Sequence, residues 1–393
     1  MNGFTYLSPT EVVFGKDTQD RTGEYVRRYG GSRVLLVYGG GSVVRSGLLA
    51  RIRQVLEQEG LCCAEFGGAK ANPTLEHARE GVRAALEHQA DFILGVGGGS
   101  AIDTAKAIAI GAADPDDDIW DFWTRRKIPQ KALPTGAVLT IPAAGSETSN
   151  SSVLTNTASG SKRGLSSDLN RPRFAIMNPE LTFTLPVYQV ACGVTDIMMH
   201  TLDRYFNPTD NEMTDAIAEA LLRTVITYGR IAVKDPQDYE AMSELMWAGS
   251  LSHNGLTGLG GPGDFAVHQL GHELSAMFDT AHGASLATVW GSWALAVYEA
   301  KPSRFARYAR NVWGLSGADE KELALAGIQA TVDYFASLGM PTSFGKNQDI
   351  GIQPEEVLRD LAFRCTFQRT RTIGTFRVLD EEAIYEIYKR ADH

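Results

Sequence analysis

The stretch DFILGVGGGSAIDTAKAIAIGA (residues 91–112) decides the fold class, because an apolar run, a glycine loop and a helix-like segment follow one another in it. The apolar run before the loop predicts a strand buried on both faces of a parallel sheet. Glycines at positions 97–99 let the backbone turn tightly and approach a bound phosphate closely. Ser100 then opens a helix whose N-terminal N–H groups attract anions. This order predicts a pyrophosphate site; the alternative is a simple turn capped by Ser100 and Asp103.

The same alternation of strands and helices extends on both sides of this stretch. Strand-like runs occur in RVLLVY (residues 33–38), CCAEFGG (residues 62–68) and AVLTIPAAGSE (residues 137–147), and amphipathic helical segments lie between the earlier ones. From Val187 onward the apolar residues repeat at helical spacing and the strand pattern ends. We therefore predict an α/β plus all-α protein. A Rossmann-like parallel-sheet domain is expected in residues 1–186 and an all-helical domain in residues 187–393.

Composition and charge exclude several classes of protein. The 393-residue chain has 37 Lys and Arg against 47 Asp and Glu, which gives a formal net charge of −10. This balance argues against nucleic acid and against anionic membrane surfaces as partners. The chain opens without a signal-peptide pattern and has no long uncharged apolar run, so we expect a cytoplasmic protein with no membrane span. Its four cysteines lack CxxC spacing and are expected to be free thiols.

The loop that follows residues 33–38 bears on the type of nucleotide. In dinucleotide sites, an acidic residue near this position binds the 2′-hydroxyl of the adenosine ribose and repels a 2′-phosphate. Here residues 39–41 are glycines, Ser42 follows them, and no acid occurs before Glu57. Arg45 is near enough in sequence to supply positive charge. The loop therefore predicts a preference for NADP(H) over NAD(H).

Small polar side chains follow the strand-like run in residues 137–147. Thr140 and Ser146 could hold the nicotinamide or a ribose of such a cofactor. An equally strong alternative is that these hydroxyls bond to the backbone of their own loop. Lys162 is expected in a polar turn, ASGSKRG, where composition alone indicates an exposed lysine.

The stretch VTDIMMHTLDRYF (residues 194–206) places an acid and an imidazole inside an apolar, helix-like segment. Asp196 and His200 are four residues apart, so they share one helix face with Cβ atoms roughly 6 Å apart. A carboxylate in an apolar helix needs a partner, and a cation is a suitable one. The pair is thus a candidate chelator of one metal ion.

Three further histidines crowd into HQLGHELSAMFDTAHG. His268 and His272 repeat the four-residue spacing, and His282 follows them. One Asp and three His suit a single Zn²⁺ or Fe²⁺ with a position left open for substrate. Spacing does not decide between His268 and His272, and any one histidine on an apolar face is more often a hydrogen-bonded core residue. Gln269 stands where the HExxH motif of metalloproteases has its glutamate, which argues against a hydrolase.

Together these motifs resemble those of the iron-dependent (group III) alcohol dehydrogenases, especially the branch of NADPH-dependent butanol dehydrogenases and aldehyde reductases. The resemblance spans nearly the whole chain and implies the two-domain fold of dehydroquinate synthase-like proteins. It rests on YGGGS (residues 38–42), GGGSAIDTAK (97–106), TIPAAGSE (140–147), GVTDIMMHTLDRY (193–205) and HQLGHELSAMFDTAHGASLA (268–287).

The resemblance also implies roles for individual residues. His272 would line the site without binding metal and relay a proton, and Asp103 is a weaker candidate for a catalytic group. Ser149 stands where relatives have a cofactor-binding Asn. The implied metal ligands are Asp196, His200, His268 and His282. The residues implied to lie near the dinucleotide are Gly39, Gly40, Ser42, Gly97, Gly98, Gly99, Ser100, Asp103, Thr140, Ser146, Lys162 and Leu185.

The implied reaction is hydride transfer between NADP(H) and a small primary alcohol or aldehyde of the butanol and butanal kind. One Fe²⁺ or Zn²⁺ would serve as a Lewis acid, and a homodimer is expected because relatives often dimerise. The alternative is a related polyol (glycerol-type) dehydrogenase that uses NAD. A cyclase for sugar phosphates should carry Lys and Arg in the helical motifs, which are apolar here. A protein with a purely structural metal would not need two glycine loops.

Overall fold

The computed structural model describes residues 2–393 and divides into two compact units. One unit contains Leu7–Thr184, and the other contains Leu185–His393 together with the N-terminal residues through Tyr6. That N-terminal segment was predicted to belong to the sheet domain. However, residues 2–6 form no helix or strand, and residues 2–5 line a cavity together with residues 258–262 of the helical unit.

A six-stranded parallel sheet forms the centre of the first unit. The strands of this unit are β1 (Glu11–Phe14), β2 (Arg33–Gly39), β3 (Cys62–Ala69), β4 (Phe92–Gly97), β5 (Thr135–Leu139), β6 (Ser151–Asn156), β7 (Ser161–Ser166) and β8 (Phe174–Met177). The sheet has the order β1-β8-β5-β4-β2-β3, and all neighbours in it are parallel. Strands β4 and β5 are buried throughout, which explains why their sequences are continuous runs of small and apolar residues. The predicted Rossmann-like sheet is confirmed.

Helices connect the parallel strands, and one hairpin stands apart from them. The helices are α1 (Thr22–Arg28), α2 (Ser42–Arg45), α3 (Leu48–Gln58), α4 (Leu75–Glu87), α5 (Gly99–Ala113) and α6 (Ile119–Trp123). Strands β6 and β7 pair only with each other, in antiparallel register. Lys162 therefore lies on β7, paired with Thr155, rather than in a turn.

The direction in which the chain crosses the sheet changes between β2 and β4. The crossover from β2 leads to β3 on one side, whereas the crossover from β4 leads to β5 on the other side. The carboxyl ends of β2 and β4 are consequently adjacent, and the glycines at 39–41 and 97–99 lie at these two ends. Such a switch point is where open α/β sheets bind ligands.

The second unit is built from helices, as predicted. Apart from the bridge between Ile373 and Leu379, its described residues form no β-structure of their own. No helix in residues 2–393 is both long and apolar enough to cross a bilayer. The α-helices are α7 (Val187–Tyr205), α8 (Glu212–Lys234), α9 (Tyr239–His253), α10 (Ala266–Phe278), α11 (His282–Val297), α12 (Pro302–Asn311), α13 (Glu320–Ser337), α14 (Glu355–Cys365) and α15 (Glu381–Ala391).

Helix α7 is buried on every face. All residues from 190 to 205 are shielded from solvent, including Asp196, His200 and Asp203. Charged groups in such a position must be compensated by nearby partners, because removing a charge from water is costly. The acids and the imidazole of α7 therefore need partners from the residues packed around this helix.

Candidate metal and nucleotide sites

Asp196 lies among three imidazoles that come from three different helices of the second unit. Its Oδ1 atom is 3.4 Å from Nε2 of His200, 3.6 Å from Nε2 of His268 and 3.7 Å from Nε2 of His282. His200 lies on α7 with Asp196, His268 lies on α10, and His282 is the first residue of α11. The structure thus brings together all four residues that were predicted as metal ligands.

Three of the four form the tightest group. Potential ligand atoms of Asp196, His268 and His282 all lie within 4.8 Å of one another, a group that does not include His200. The ring of His200 stacks against that of His253, with centroids 3.9 Å apart, and lies tilted against that of His268, with centroids 4.3 Å apart. His200 therefore borders the compact group and lies close to its carboxylate.

The side chains of the cluster fit a cation. Asp196 Oδ1 and His268 Nε2 are buried, and neither has a hydrogen-bond partner among the residues that the structure describes. Unpaired buried polar atoms are rare, because each one costs free energy of desolvation. One carboxylate and several imidazole nitrogens are the donors that Zn²⁺ and Fe²⁺ prefer. The cluster therefore has the composition and the unmet polarity of a metal site.

Close helix packing brings His282 to Asp196. A Cβ atom on Gly283 would lie only 2.2 Å from the carbonyl oxygen of Cys192, so glycine lets the start of α11 touch α7. A Cβ atom on Gly271 would lie 2.8 Å from the Leu286 side chain, so α10 and α11 also approach closely. Both glycines adjoin histidines of the site in sequence, in the pairs Gly271-His272 and His282-Gly283.

Asp203 is a second carboxylate beside the cluster. It was not among the residues predicted from the sequence. Its Oδ2 atom lies 2.5 Å from Nδ1 of His268. Burial lowers the pKa of His268, but the nearby carboxylates of Asp196 and Asp203 outweigh this effect and raise the pKa to about 9. The two acids thus favour positive charge at His268, which a metal ion supplies in place of a proton. Burial and nearby positive imidazoles hold the pKa of His200 well below its ordinary value.

His272 lies at the side of the cluster, outside the compact group. Its ring centroid is 6.2 Å from that of His268 and 5.5 Å from that of His282. The side chain is partly exposed, whereas His268 is buried. Of the two histidines that spacing could not separate, His268 is the one whose ring faces Asp196.

The predicted pyrophosphate loop begins helix α5 with glycine. Gly97 has φ of 149°, Gly98 is the N-cap, and the helix starts at Gly99 without a side-chain cap. A Cβ atom on Gly98 would lie 2.7 Å from Ile141, so the loop admits only glycine there without a shift. The alternative of a turn capped by Ser100 and Asp103 is wrong. Ser100 lies inside the helix, and its hydroxyl donates to the carbonyl of Ala71 at 2.6 Å.

Asp103 and Ser146 belong to a buried network that also contains Lys106. Asp103 accepts from the Ser146 hydroxyl at 2.5 Å and from the Val153 backbone at 2.9 Å. The Lys106 ammonium donates to Ser146 Oγ at 2.9 Å and to the Ser151 carbonyl at 2.8 Å. Burial raises the pKa of Asp103 and lowers that of Lys106 to about 8. The Ser146 hydroxyl is therefore bound by α5 rather than by its own loop.

Three other residues predicted to lie near the cofactor are Thr140, Lys162 and Leu185. Thr140 is buried, and its backbone N–H donates to the Gly97 carbonyl at 3.0 Å. Lys162 is buried rather than exposed, and its ammonium donates to Asn72 Oδ1 at 3.0 Å. Leu185 begins the main segment of the helical unit, Leu185–His393.

Gly39 is the last residue of β2, and Gly40 and Ser42 lie within three positions after it. Gly41 has φ of 115°, which favours glycine, and Ser42 begins the short helix α2. The guanidinium of Arg45 folds back toward the loop, since its Nη1 lies 3.1 Å from the position of a Cβ atom on Gly41. The positive charge predicted near this loop is present.

Sequence reasoning missed Asp203, Lys106 and Asn72. Asp203 lies seven residues after Asp196, a spacing that places both on one face of α7, so the helical period could have indicated it. Lys106 is the last residue of the quoted GGGSAIDTAK motif, in an apolar helix. Asn72 has no such signal, because its contact with Lys162 joins residues 90 positions apart.

Comparison with known proteins agrees with this geometry. The family model described as iron-containing alcohol dehydrogenase matches residues 9–179, and the C-terminal model of the Fe-containing alcohol dehydrogenase family matches residues 190–392. NADH-dependent butanol dehydrogenase A of Clostridium acetobutylicum is 39% identical over 394 residues, covering 100% of both chains. NADPH-dependent aldehyde reductase YqhD of Escherichia coli is 38% identical over 345 residues, covering 87% of this chain and 88% of that one.

Solved structures show the same similarity in three dimensions. The crystal structure of NADH-dependent butanol dehydrogenase A from Thermotoga maritima has a TM-score of 0.96 and 35% sequence identity. The match covers 100% of this chain and 99% of that chain. The chain belongs to the iron-containing alcohol dehydrogenase family, and it is a metal-dependent oxidoreductase of alcohols and aldehydes that uses a nicotinamide dinucleotide.

Proposed function

We propose that this enzyme interconverts small, uncharged primary alcohols and aldehydes, of the butanol and butanal kind, with NADP(H). The observation that carries the proposal is the approach of three imidazole nitrogens to one buried carboxylate oxygen of Asp196. The aromatic ring of Phe265 lies beside this cluster, with its centroid 5.8 Å from that of His268. An apolar neighbour of this type favours an alkyl chain over a charged or multiply hydroxylated substrate.

The metal is proposed to be held by Asp196, His268 and His282, with His200 as the fourth ligand. When bound, a divalent cation of this kind polarises a C–O bond and stabilises negative charge on its oxygen. The two carboxylates near His268 keep the cluster negative enough to retain such an ion. Both Fe²⁺ and Zn²⁺ suit this donor set.

We propose that His272 relays the proton which the alcohol oxygen loses or gains. It is partly exposed and adjoins the metal cluster, as a group that exchanges protons with water must. Asp103 is less suited to that role, because both its carboxylate oxygens are occupied by Ser146 and Val153. We assign Asp103 the task of holding the dinucleotide loop in place.

The preference for NADP(H) is proposed from the loop after β2. Residues 39–42 carry no acid that would repel a 2′-phosphate, and the Arg45 guanidinium lies over Gly41. The relatives include both NADH-dependent and NADPH-dependent enzymes, so the proposed preference rests on this chain's own residues. A charge-assisted hydrogen bond to a phosphate contributes about 1.5–3 kcal/mol.

Initial rates with butanal and either NADPH or NADH test this proposal in the metal-loaded enzyme. We expect a larger kcat/KM with NADPH. We also expect the KM for NADPH to rise about 10- to 100-fold in Arg45→Ala, with little change for NADH. Arg53→Ala is the matched control, since Arg53 is an exposed arginine that pairs with Glu65. A larger kcat/KM with NADH in the wild type would contradict the NADP(H) preference.

Initial rates of alcohol oxidation test the alternative of an NAD-dependent polyol dehydrogenase, which should prefer glycerol and NAD over butanol and NADP. We further propose a homodimer located in the cytoplasm. Light scattering on the purified enzyme and fractionation of the cells that produce it are the corresponding measurements.

A further inference from the structure

Asp203 is a wholly buried carboxylate that the proposed ligand set does not use. Its side chain has no exposed surface. Its Oδ2 atom lies 2.5 Å from Nδ1 of His268 and 3.4 Å from the backbone nitrogen of the same residue. Its Oδ1 atom has no hydrogen-bond partner among residues 2–393. Both hydrogen-bonding contacts of this carboxylate are thus to His268.

Burying such a carboxylate costs free energy. An ionised group removed from water costs several kcal/mol unless a charge and hydrogen bonds compensate it. Arg204 is the neighbouring base, but its Nη1 donates to the His200 carbonyl at 2.7 Å, and its guanidinium lies 4.7 Å from the centroid of the Phe265 ring. The side chain that is hydrogen-bonded to the Asp203 carboxylate is therefore the imidazole of His268.

The two nitrogens of His268 face two different carboxylates. Nδ1 meets Asp203, whereas Nε2 faces Asp196 Oδ1 at 3.6 Å in the cluster. A neutral imidazole carries its hydrogen on one nitrogen and a lone pair on the other. If Nδ1 donates to Asp203, the lone pair is on Nε2, where a cation can accept it.

We propose that Asp203 is a positioning residue, which holds His268 as the Nδ1–H tautomer and directs its Nε2 lone pair at the metal. The inference rests on the proposed metal site. The carboxylate also makes the imidazole a stronger electron donor, as outer carboxylates do in other metal sites.

Backbone contacts fix the relation between α7 and the start of α10. The backbone N–H of Asp264 donates to the Asp203 carbonyl at 2.6 Å. The Asp264 carboxylate accepts from the backbone nitrogens of Ala266, Thr375 and Phe376 at 2.7–3.0 Å. These bonds do not involve the Asp203 side chain. Replacing its carboxylate therefore leaves these bonds in place and removes the contacts that Oδ2 makes with Nδ1 and the backbone nitrogen of His268.

Asp203→Asn is the first test, because the amide matches the carboxylate in shape but can present either a donor or an acceptor to Nδ1. We expect the affinity for Zn²⁺ or Co²⁺, measured by competition with a chromophoric chelator, to fall about 10- to 100-fold. Tyr205→Phe is the matched control. Tyr205 lies on the same helix as Asp203, and the substitution removes its buried hydrogen bond to Glu219. It should therefore lower stability without changing metal affinity. Unchanged affinity in folded Asp203→Asn overturns the proposal.

A measurement on the wild type keeps the proposal testable if that variant does not fold. In Zn²⁺-loaded enzyme labelled with ¹⁵N-histidine, the His268 ring should show a protonated Nδ1 and a metal-bound Nε2. Loss of the signal in His268→Gln assigns the resonance. A metal-bound Nδ1 would overturn the positioning role alone. A wild type that binds no divalent metal would instead refute the proposed function, on which this role depends.

Discussion

At the scale of single residues, the histidines of the cluster differ in what they contact. His268 contacts two acids, Asp196 and Asp203. His282 begins a helix and keeps about a quarter of its side chain exposed. His272 lies beside the group, outside it. These differences support the proposed separation of metal ligands from a residue that only transfers protons. Two substitutions test that separation directly.

His282→Ala should remove metal and activity together. The imidazole belongs to the compact donor group, and its loss leaves fewer ligands to hold a divalent ion. We expect substoichiometric metal by elemental analysis and a fall in kcat/KM of more than about 100-fold, since the ion supplies several kcal/mol of stabilisation. Circular dichroism should show an intact fold, and His88→Ala is the control that removes an imidazole from the other unit. Wild-type turnover in a metal-depleted variant would refute the prediction.

His272→Ala should keep the metal and lose turnover. Removing a general acid or base typically lowers kcat by about 10²- to 10⁴-fold, while the four proposed ligands stay in place. Elemental analysis and initial rates on the same preparation give both readouts. Stoichiometric loss of metal in this variant would make His272 a ligand instead of a proton relay.

At the scale of elements, Lys106 ties helix α5 to the segment that leads into β6. The folded pKa of Lys106 is lowered from 10.5 to about 8 by burial. Between these pH values the unfolded chain holds a proton that the folded chain has released. The free energy of unfolding should therefore rise with pH across this window, by at most about 3 kcal/mol.

Lys106→Met isolates that contribution, because other titrating groups are common to both proteins. We expect the stability difference between wild type and Lys106→Met to grow in favour of the wild type from pH 8 to pH 10.5, as measured by urea unfolding. The variant should also bind the dinucleotide more weakly, since Ser146 and Ser151 lose a donor. Parallel stability curves over this pH range would show that Lys106 does not titrate in it.

At the scale of the whole molecule, metal binding should stabilise the fold. The donors come from α7, α10 and α11, so they converge only when these helices are packed. An ion at 100 times its Kd adds about 2.7 kcal/mol to the free energy of unfolding, or roughly 5–10 °C in Tm for a unit of this size. Differential scanning calorimetry with added Zn²⁺ should show this shift, and a chelator should reverse it. An equal shift in His282→Ala would locate the binding elsewhere.

The sequence by itself determined the alternation of strands and helices, the two glycine loops and the spacing of Asp196 and His200. These features are local, because the period of apolar residues and the conformational freedom of glycine act within a few positions of the chain. Spacing alone left His268 and His272 equivalent, and the tertiary structure showed that the ring of His268 faces Asp196. It alone showed that Asp203 contacts His268 across 65 positions and that Lys106 reaches Ser146 across 40. Such contacts depend on how closely whole helices and loops pack, which no local pattern encodes.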